Sequence, residues 1–211
     1  MRAIKVVDYD PSWPRRFAEI SAEISVLLGD VVLSIDHIGS TSVPGLAAKP
    51  KIDLDVVTIS DDVLPAAIDI LRAADFVFHG DLGENRWAYT RDHQAYGFKL
   101  YLCDPANLAH RQRILFRDYL RDHTDRAEAY ADLKRRLAAE ADGDWDFYTG
   151  GKSAFCRRDD TIGHVENLRL KRLPRSGRPR LVAVTPSRYD LALADVIGRA
   201  DEAFLFHAFD Q

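Results

Sequence analysis

The sequence predicts an α+β fold of mixed α/β character: a mixed sheet flanked by helices, followed by a helical C-terminal half. Three observations carry this. Two strand-like segments, 31–38 and 51–59, precede a helical pattern. Three short aromatic-rich strands, separated by glycine and polar turns, follow it and suggest mixed strand directions. Beyond Pro105 the period becomes helical.

Each element has its own signal. Asp10-Pro-Ser-Trp-Pro14 opens a helix, with Ser12 a candidate N-cap and Pro14 in the first turn. Trp13, Phe17, Ile20, Ile24, Leu27 and Leu28 then share a face, and Gly29 can close the helix. Residues 31–38 form a strand that delivers a Gly-Ser turn at its end. Residues 51–59 form the second strand. Ser60-Asp-Asp starts a helix with its acids at the positive end, and Val63, Leu64, Ala67, Ile68 and Leu71 form its stripe. Segments 76–79, 86–91 and 96–103 are the short strands, and alternation puts Trp87, Tyr89 and Arg91 on one face.

Residues 105–123 and 125–141 read as two helices that break at His123-Thr124, and a third begins near Tyr148. This half is expected to cover the sheet and form the second wall of a cleft. The run Lys171-Arg-Leu-Pro-Arg-Ser-Gly-Arg-Pro-Arg180 is a basic linker. A final apolar helix spans about 187–209, where Phe204, Phe206 and Phe209 are costly to expose. It docks on its own domain or on a second copy, so a homodimer through this helix is one of two open arrangements. The organisation is therefore a domain over 1–165, a linker over 166–186 and a helical appendage over 187–211.

Composition narrows the function. The 211 residues are 46% hydrophobic and 29% charged, with a net charge of −4, an ordinary globular profile. The acidic balance argues against a protein that coats nucleic acid, although it leaves room for a local basic groove. No apolar run is long enough to cross a membrane, and the first residues lack the hydrophobic core of a signal peptide. The two cysteines, Cys103 and Cys156, sit in unlike contexts and read as free thiols of a reducing cytoplasm. No Cys/His cluster has zinc spacing.

The chemistry concentrates in His37-Ile-Gly-Ser-Thr-Ser-Val-Pro-Gly-Leu46 and the strand Lys51-Ile-Asp-Leu-Asp-Val56. On a strand, Asp53 and Asp55 project from one face. Two like charges held together call for a cation, and hard oxygen ligands suit Mg²⁺ (or Mn²⁺) shared with substrate phosphates. The turn offers backbone amides opened by Gly39 and the hydroxyls of Ser40, Thr41 and Ser42. Alone, Asp-x-Asp is also the pattern of a solvated edge strand, and Gly-Ser-Thr-Ser that of an ordinary turn. Joined at this spacing they favour a phosphate–metal site. A P-loop and a dinucleotide fingerprint are both absent.

These residues carry a resemblance. Gly39-Ser40 followed by Asp53-Leu-Asp55 is similar to the signature of the polymerase-beta-like nucleotidyltransferases. The longer run from His37 to Asp55 resembles the GrpB family of that superfamily. Val7-Asp-Tyr-Asp-Pro-Ser-Trp13, Leu100-Tyr-Leu-Cys103, Phe116-Arg-Asp-Tyr-Leu-Arg121, Tyr130-Ala-Asp-Leu-Lys134, and Tyr148 with Lys152 agree with it. The resemblance implies a nucleotidyltransferase-like sheet. It also implies Mg²⁺-dependent transfer of a nucleoside monophosphate from a nucleoside triphosphate to a small molecule or an RNA.

In that scheme Asp53 and Asp55 are the catalytic metal ligands. Gly39, Ser40, Thr41, Ser42, Lys49, Lys99 and Lys152 contact the nucleotide. Thr41 and Ser42 are equally suited to capping the turn, and Lys49 to a solvated loop. Lys152 follows Gly150-Gly151, where it is expected to open a helix whose N-terminus faces an anion. His37 is expected to brace the turn. Arg117 and Arg121 share a helix face, as a salt-bridged surface or as a basic rim. Two-metal relatives place a third acid on a later strand, whereas the matching strand here presents Lys99 and Tyr101 on that face, with Asp104 just past its end. This departure keeps open a second scheme, a catalytically degenerate nucleotide- or partner-binding module.

Overall fold

The computed structural model describes residues 3–83, 85–93 and 96–158. The expected linker and C-terminal appendage lie outside the described residues. The elements in order are α1 (Trp13–Leu28), β1 (Val32–Ile38), β2 (Ile52–Thr58), α2 (Leu64–Ala73), β3 (Val77–Asp81), β4 (Arg86–His93) and β5 (Tyr96–Cys103). Three helices complete it: α3 (Leu108–Asp122), α4 (Thr124–Glu140) and α5 (Trp145–Arg158).

The sheet is mixed, as expected, in the order β1-β2-β5-β4-β3. Strand β2 runs antiparallel to β1 and parallel to β5, and β4 is antiparallel to both β5 and β3. Leu54, Val56, Tyr89, Phe98, Leu100 and Leu102 fill one face and pack with Trp13, Ile20, Ile24 and Leu28 of α1 and Leu64, Ala67 and Leu71 of α2. Each large apolar side chain buried here contributes about 1.5–3 kcal/mol. The opposite face carries Asp53, Asp55, Lys99 and Tyr101 in neighbouring registers, Asp53 beside Lys99 and Asp55 beside Tyr101. Helix α3 lies on this side, where Arg113 reaches Asp55.

A second core joins Val43, Leu46 and Ala47, just past the Gly-Ser turn, to Phe116, Tyr119 and Leu120 of α3 and Ala127, Tyr130 and Ala131 of α4. The helical half therefore grips the loop that leads into β2. Phe116 and Tyr119 belong to this core.

Some boundaries differ from expectation. Helix α2 begins at Leu64, not at Ser60, because Pro65 starts the helix and the preceding residues fold into a turn with Leu64 N–H on the Asp61 carbonyl at 3.1 Å. Ser12 makes no side-chain cap on α1, and Asp10 instead accepts from the Ser12 amide at 2.8 Å. Helix α5 begins at Trp145, since Asp144 accepts from the amides of Asp146 and Phe147 at 2.9 Å each. It runs on through Gly150 and Gly151. Lys152 thus sits inside a helix, and the expected anion-binding helix N-terminus at Lys152 is corrected.

Candidate functional site

The Gly-Ser turn follows β1 directly. Gly39 has φ of 68°, and a Cβ there would lie 2.9 Å from Asp53 Oδ2. Both the conformation and the approach to the carboxylate require glycine. The Ser42 hydroxyl donates to the Gly39 carbonyl at 2.5 Å, and the Thr41 hydroxyl donates to the Lys51 carbonyl at 3.4 Å. The first hydroxyl closes the turn on itself and the second ties it to the residue before β2. Ser40 makes no side-chain hydrogen bond among the described residues and lines the cleft.

Helix α3 clamps this turn by its carbonyls. Arg117 Nη1 donates to the His37 carbonyl at 3.0 Å, and Arg121 donates to the Ser42 carbonyl at 2.7 and 3.1 Å. The two arginines act as braces, with Arg117 also at the cleft wall. His37 is buried, stacks on Phe17 at 4.6 Å and meets Thr41 Oγ1 at 3.0 Å. Burial, with the charges of Arg121 and Arg117, pushes its pKa down to about 4, so it is neutral at pH 7. This is a structural brace, as its position beside the turn suggested.

The two aspartates have different fates. Asp55 is fully buried. Arg113 Nε donates to its Oδ2 at 3.0 Å and Nη2 to its Oδ1 at 2.8 Å, while His110 Nδ1 lies 2.9 Å from Oδ2. Both carboxylate oxygens are therefore engaged by the protein. Of the two acids expected as metal ligands, Asp55 is held in this bidentate pair. Asp53 alone faces the cleft. Burial raises its pKa despite the opposing charges of Lys49, Lys51, Lys99 and Lys152.

The donor set does not fit Mg²⁺ or Mn²⁺. A divalent ion in the cleft would meet the carboxylate of Asp53 on a wall that also carries Lys49 and Lys152. Lys99 occupies the neighbouring strand position, where a protonated lysine repels a cation. Asp104 caps the turn after β5 by accepting from the Ala106 amide at 2.6 Å. Among the described residues, no group of three or more His, Cys, Asp or Glu side chains gathers as a metal site.

What the cleft does gather is positive charge. Its walls carry Lys49, Arg86, Arg113, Arg117, Lys134 and Lys152 against the single carboxylate of Asp53. Lys49 lies 4.6 Å from the Trp145 ring centroid and 5.6 Å from that of Tyr148. Lys134 is 2% exposed and donates to the Ala47 carbonyl. Burial lowers the pKa of Lys49, Arg86 and Lys134, the last well below the usual lysine value, and pushes Lys99 down to about 8. Such groups are poorly solvated, and an incoming anion favours their charged form. Tyr101, Phe116, Tyr130 and Tyr148 supply aromatic wall beside them.

Of the nucleotide contacts expected from sequence, Gly39, Ser40, Thr41, Lys49 and Lys152 converge on this cleft, and Lys99 stands next to Asp53. Ser42 faces the turn's own backbone. Arg86, Arg113 and Lys134 are further wall residues, outside the contacts expected from sequence. A signal existed for Arg113: with His110 and Arg117 it repeats at three- and four-residue spacing on one face of α3.

Comparison with known proteins agrees with this architecture. The family model described as GrpB protein matches residues 3–160. The UPF0157 protein YqkA of Bacillus subtilis is 32% identical over 160 residues, covering 74% of this chain and 46% of YqkA. The chain thus spans about half the length of that relative. The crystal structure of the conserved protein GrpB from Enterococcus faecalis superposes with a TM-score of 0.65 at 27% identity, covering 79% of this chain and 98% of that one. A dephospho-CoA kinase of Mycolicibacterium paratuberculosis is 26% identical over 180 residues, 73% of this chain and 44% of the kinase.

Proposed function

The chain belongs to the GrpB family, and for this member we propose a nucleotide-binding function, in which the cleft holds a nucleotide's polyphosphate between the sheet and helices α3 to α5. The observation that carries it is a cleft wall that brings Lys49, Arg86, Arg117, Lys134 and Lys152 together beside Asp53, with Arg113 held by Asp55 behind them. A polyphosphate supplies several negative charges at once to a wall rich in basic side chains. The open Ser40 hydroxyl adds a donor, and the aromatic wall offers faces on which a base can pack.

Two further observations favour a nucleotide over a simple anion. The Gly-Ser turn and Asp53 keep the spacing of the nucleotidyltransferase-like signature. A stretch similar to this chain also occurs within a mycobacterial protein named for dephospho-CoA, an adenine nucleotide with a diphosphate. Dephospho-CoA therefore belongs in the ligand panel with ATP and UTP.

Isothermal titration of the full chain with these nucleotides and with inorganic tripolyphosphate tests the proposal. Saturable binding is expected, and Lys49→Gln or Lys152→Gln should weaken it about tenfold each, the loss of one charge-assisted contact. Absence of binding to every member of the panel overturns it. The same samples, given α-labelled nucleoside triphosphates with small-molecule pools or RNA, test nucleotidyl transfer. Label transfer that Asp53→Asn abolishes would replace the binding function with an enzymatic one.

A further inference from the structure

Resting on the nucleotide-binding reading, we infer that the cleft takes its polyphosphate as the metal-free anion, with lysine side chains around Asp53 filling the role that a divalent cation plays at paired acids. The inference starts from the sheet. The β2–β5 register sets Lys99 beside Asp53 on the face that looks toward α3. Lys49, from the loop before β2, and Lys152, from α5, line the same cleft as Asp53. The second acid of the motif is removed from the cleft by Arg113 and His110. Paired acids attract a dication, whereas one acid among lysines leaves positive charge in excess and disfavours another cation.

A metal-free polyphosphate carries more negative charge than its magnesium complex, and its terminal oxygens are open to ammonium donors. Mg²⁺ bound to the same oxygens removes both advantages. Magnesium is therefore a competitor of the protein for this ligand, not a partner in binding it. Asp53 becomes the one repulsive group in the cleft, offset by Lys49 and Lys152 on the same wall and by Lys99 in the neighbouring strand register.

The test is titration of the full chain with inorganic tripolyphosphate and with ATP, in chelator and in excess MgCl₂, with ionic strength matched by NaCl. Binding in chelator that weakens about tenfold or more in MgCl₂ is expected. Asp53→Asn should tighten metal-free binding severalfold, and Lys99→Gln should weaken it. Affinity that Mg²⁺ leaves unchanged or increases overturns the inference, as does loss of binding in a folded Asp53→Asn protein. In those cases the nucleotide-binding reading stands. Absence of binding in either medium removes that reading and this inference together. Should Asp53→Asn fail to fold, Lys99→Gln decides: unchanged metal-free affinity in that variant overturns the inference.

Discussion

Arg113 holds Asp55 by both oxygens, at 3.0 and 2.8 Å, across a fully buried contact between α3 and β2. A carboxylate paired in this way is a structural anchor. Removing one partner strands the other charge away from water, which costs about 3–5 kcal/mol. Arg113→Ala and Asp55→Ala should each lower folding stability by that order in urea titrations. Asp55→Ala with Arg113→Ala should cost less than the two losses added, because neither charge is then orphaned. A strictly additive double variant would show that the pair does not couple.

The closeness of Gly39 to Asp53 yields a second prediction. Gly39 and Gly45 both have positive φ, 68° and 78°, yet a Cβ on Gly45 meets nothing within 4 Å while one on Gly39 meets Asp53 Oδ2 at 2.9 Å. Gly45→Ala should cost only the backbone term of about 1–2 kcal/mol. Gly39→Ala should cost more and should also move Asp53, changing ligand affinity. Thermal melts and titration of both variants separate the two terms. Equal effects on affinity would mean that the turn does not position the carboxylate.

The pKa of Lys99, pushed down to about 8 by burial, predicts a pH dependence. Only the protonated lysine attracts phosphate, so the bound anion favours that form and raises its pKa. Affinity should be full below pH 8 and fall as pH rises through it, with net proton uptake on binding near pH 8. Titrations in buffers of different ionisation heat measure that uptake. Lys99→Arg should flatten the profile, because arginine stays charged across this range.

Helices α4 and α5 meet at Gly151, where a Cβ would lie 2.5 Å from Leu137 Cδ2. Gly151→Ala should destabilise by about 1–3 kcal/mol through overpacking, beyond any gain in helix propensity. Combining it with Leu137→Ala should relieve the clash, leaving the double variant more stable than the two single losses predict. Chemical denaturation of the four proteins checks this.

Elements with strong periodicity were legible in the sequence. The stripe from Trp13 to Leu28 fixes α1, and the alternation around Asp53 and Asp55 does the same for β2. The break at His123 also shows, since one residue caps both α3 and α4. Local signals misled where tertiary packing decided. Gly150-Gly151 reads as a helix break, yet the helix continues because Gly151 allows α5 to approach Leu137. The Asp-x-Asp pattern correctly put both acids on one face but could not show Arg113, far away in sequence, seizing one of them. Lys134 and Arg86 reach the cleft only through the placement of α4 and β4, which no local pattern encodes.

The parallel seam between β2 and β5 sets Asp53 beside Lys99, with α2, β3 and β4 threaded between them in the chain. Parallel contacts of such long range are slow to form, because loop closure precedes any reward. Asp53 and Lys99 therefore become neighbours only after the intervening meander has closed. Ligand capture would then mark the completion of folding, and a truncated or half-refolded chain should stay silent toward nucleotide even where its helices have formed.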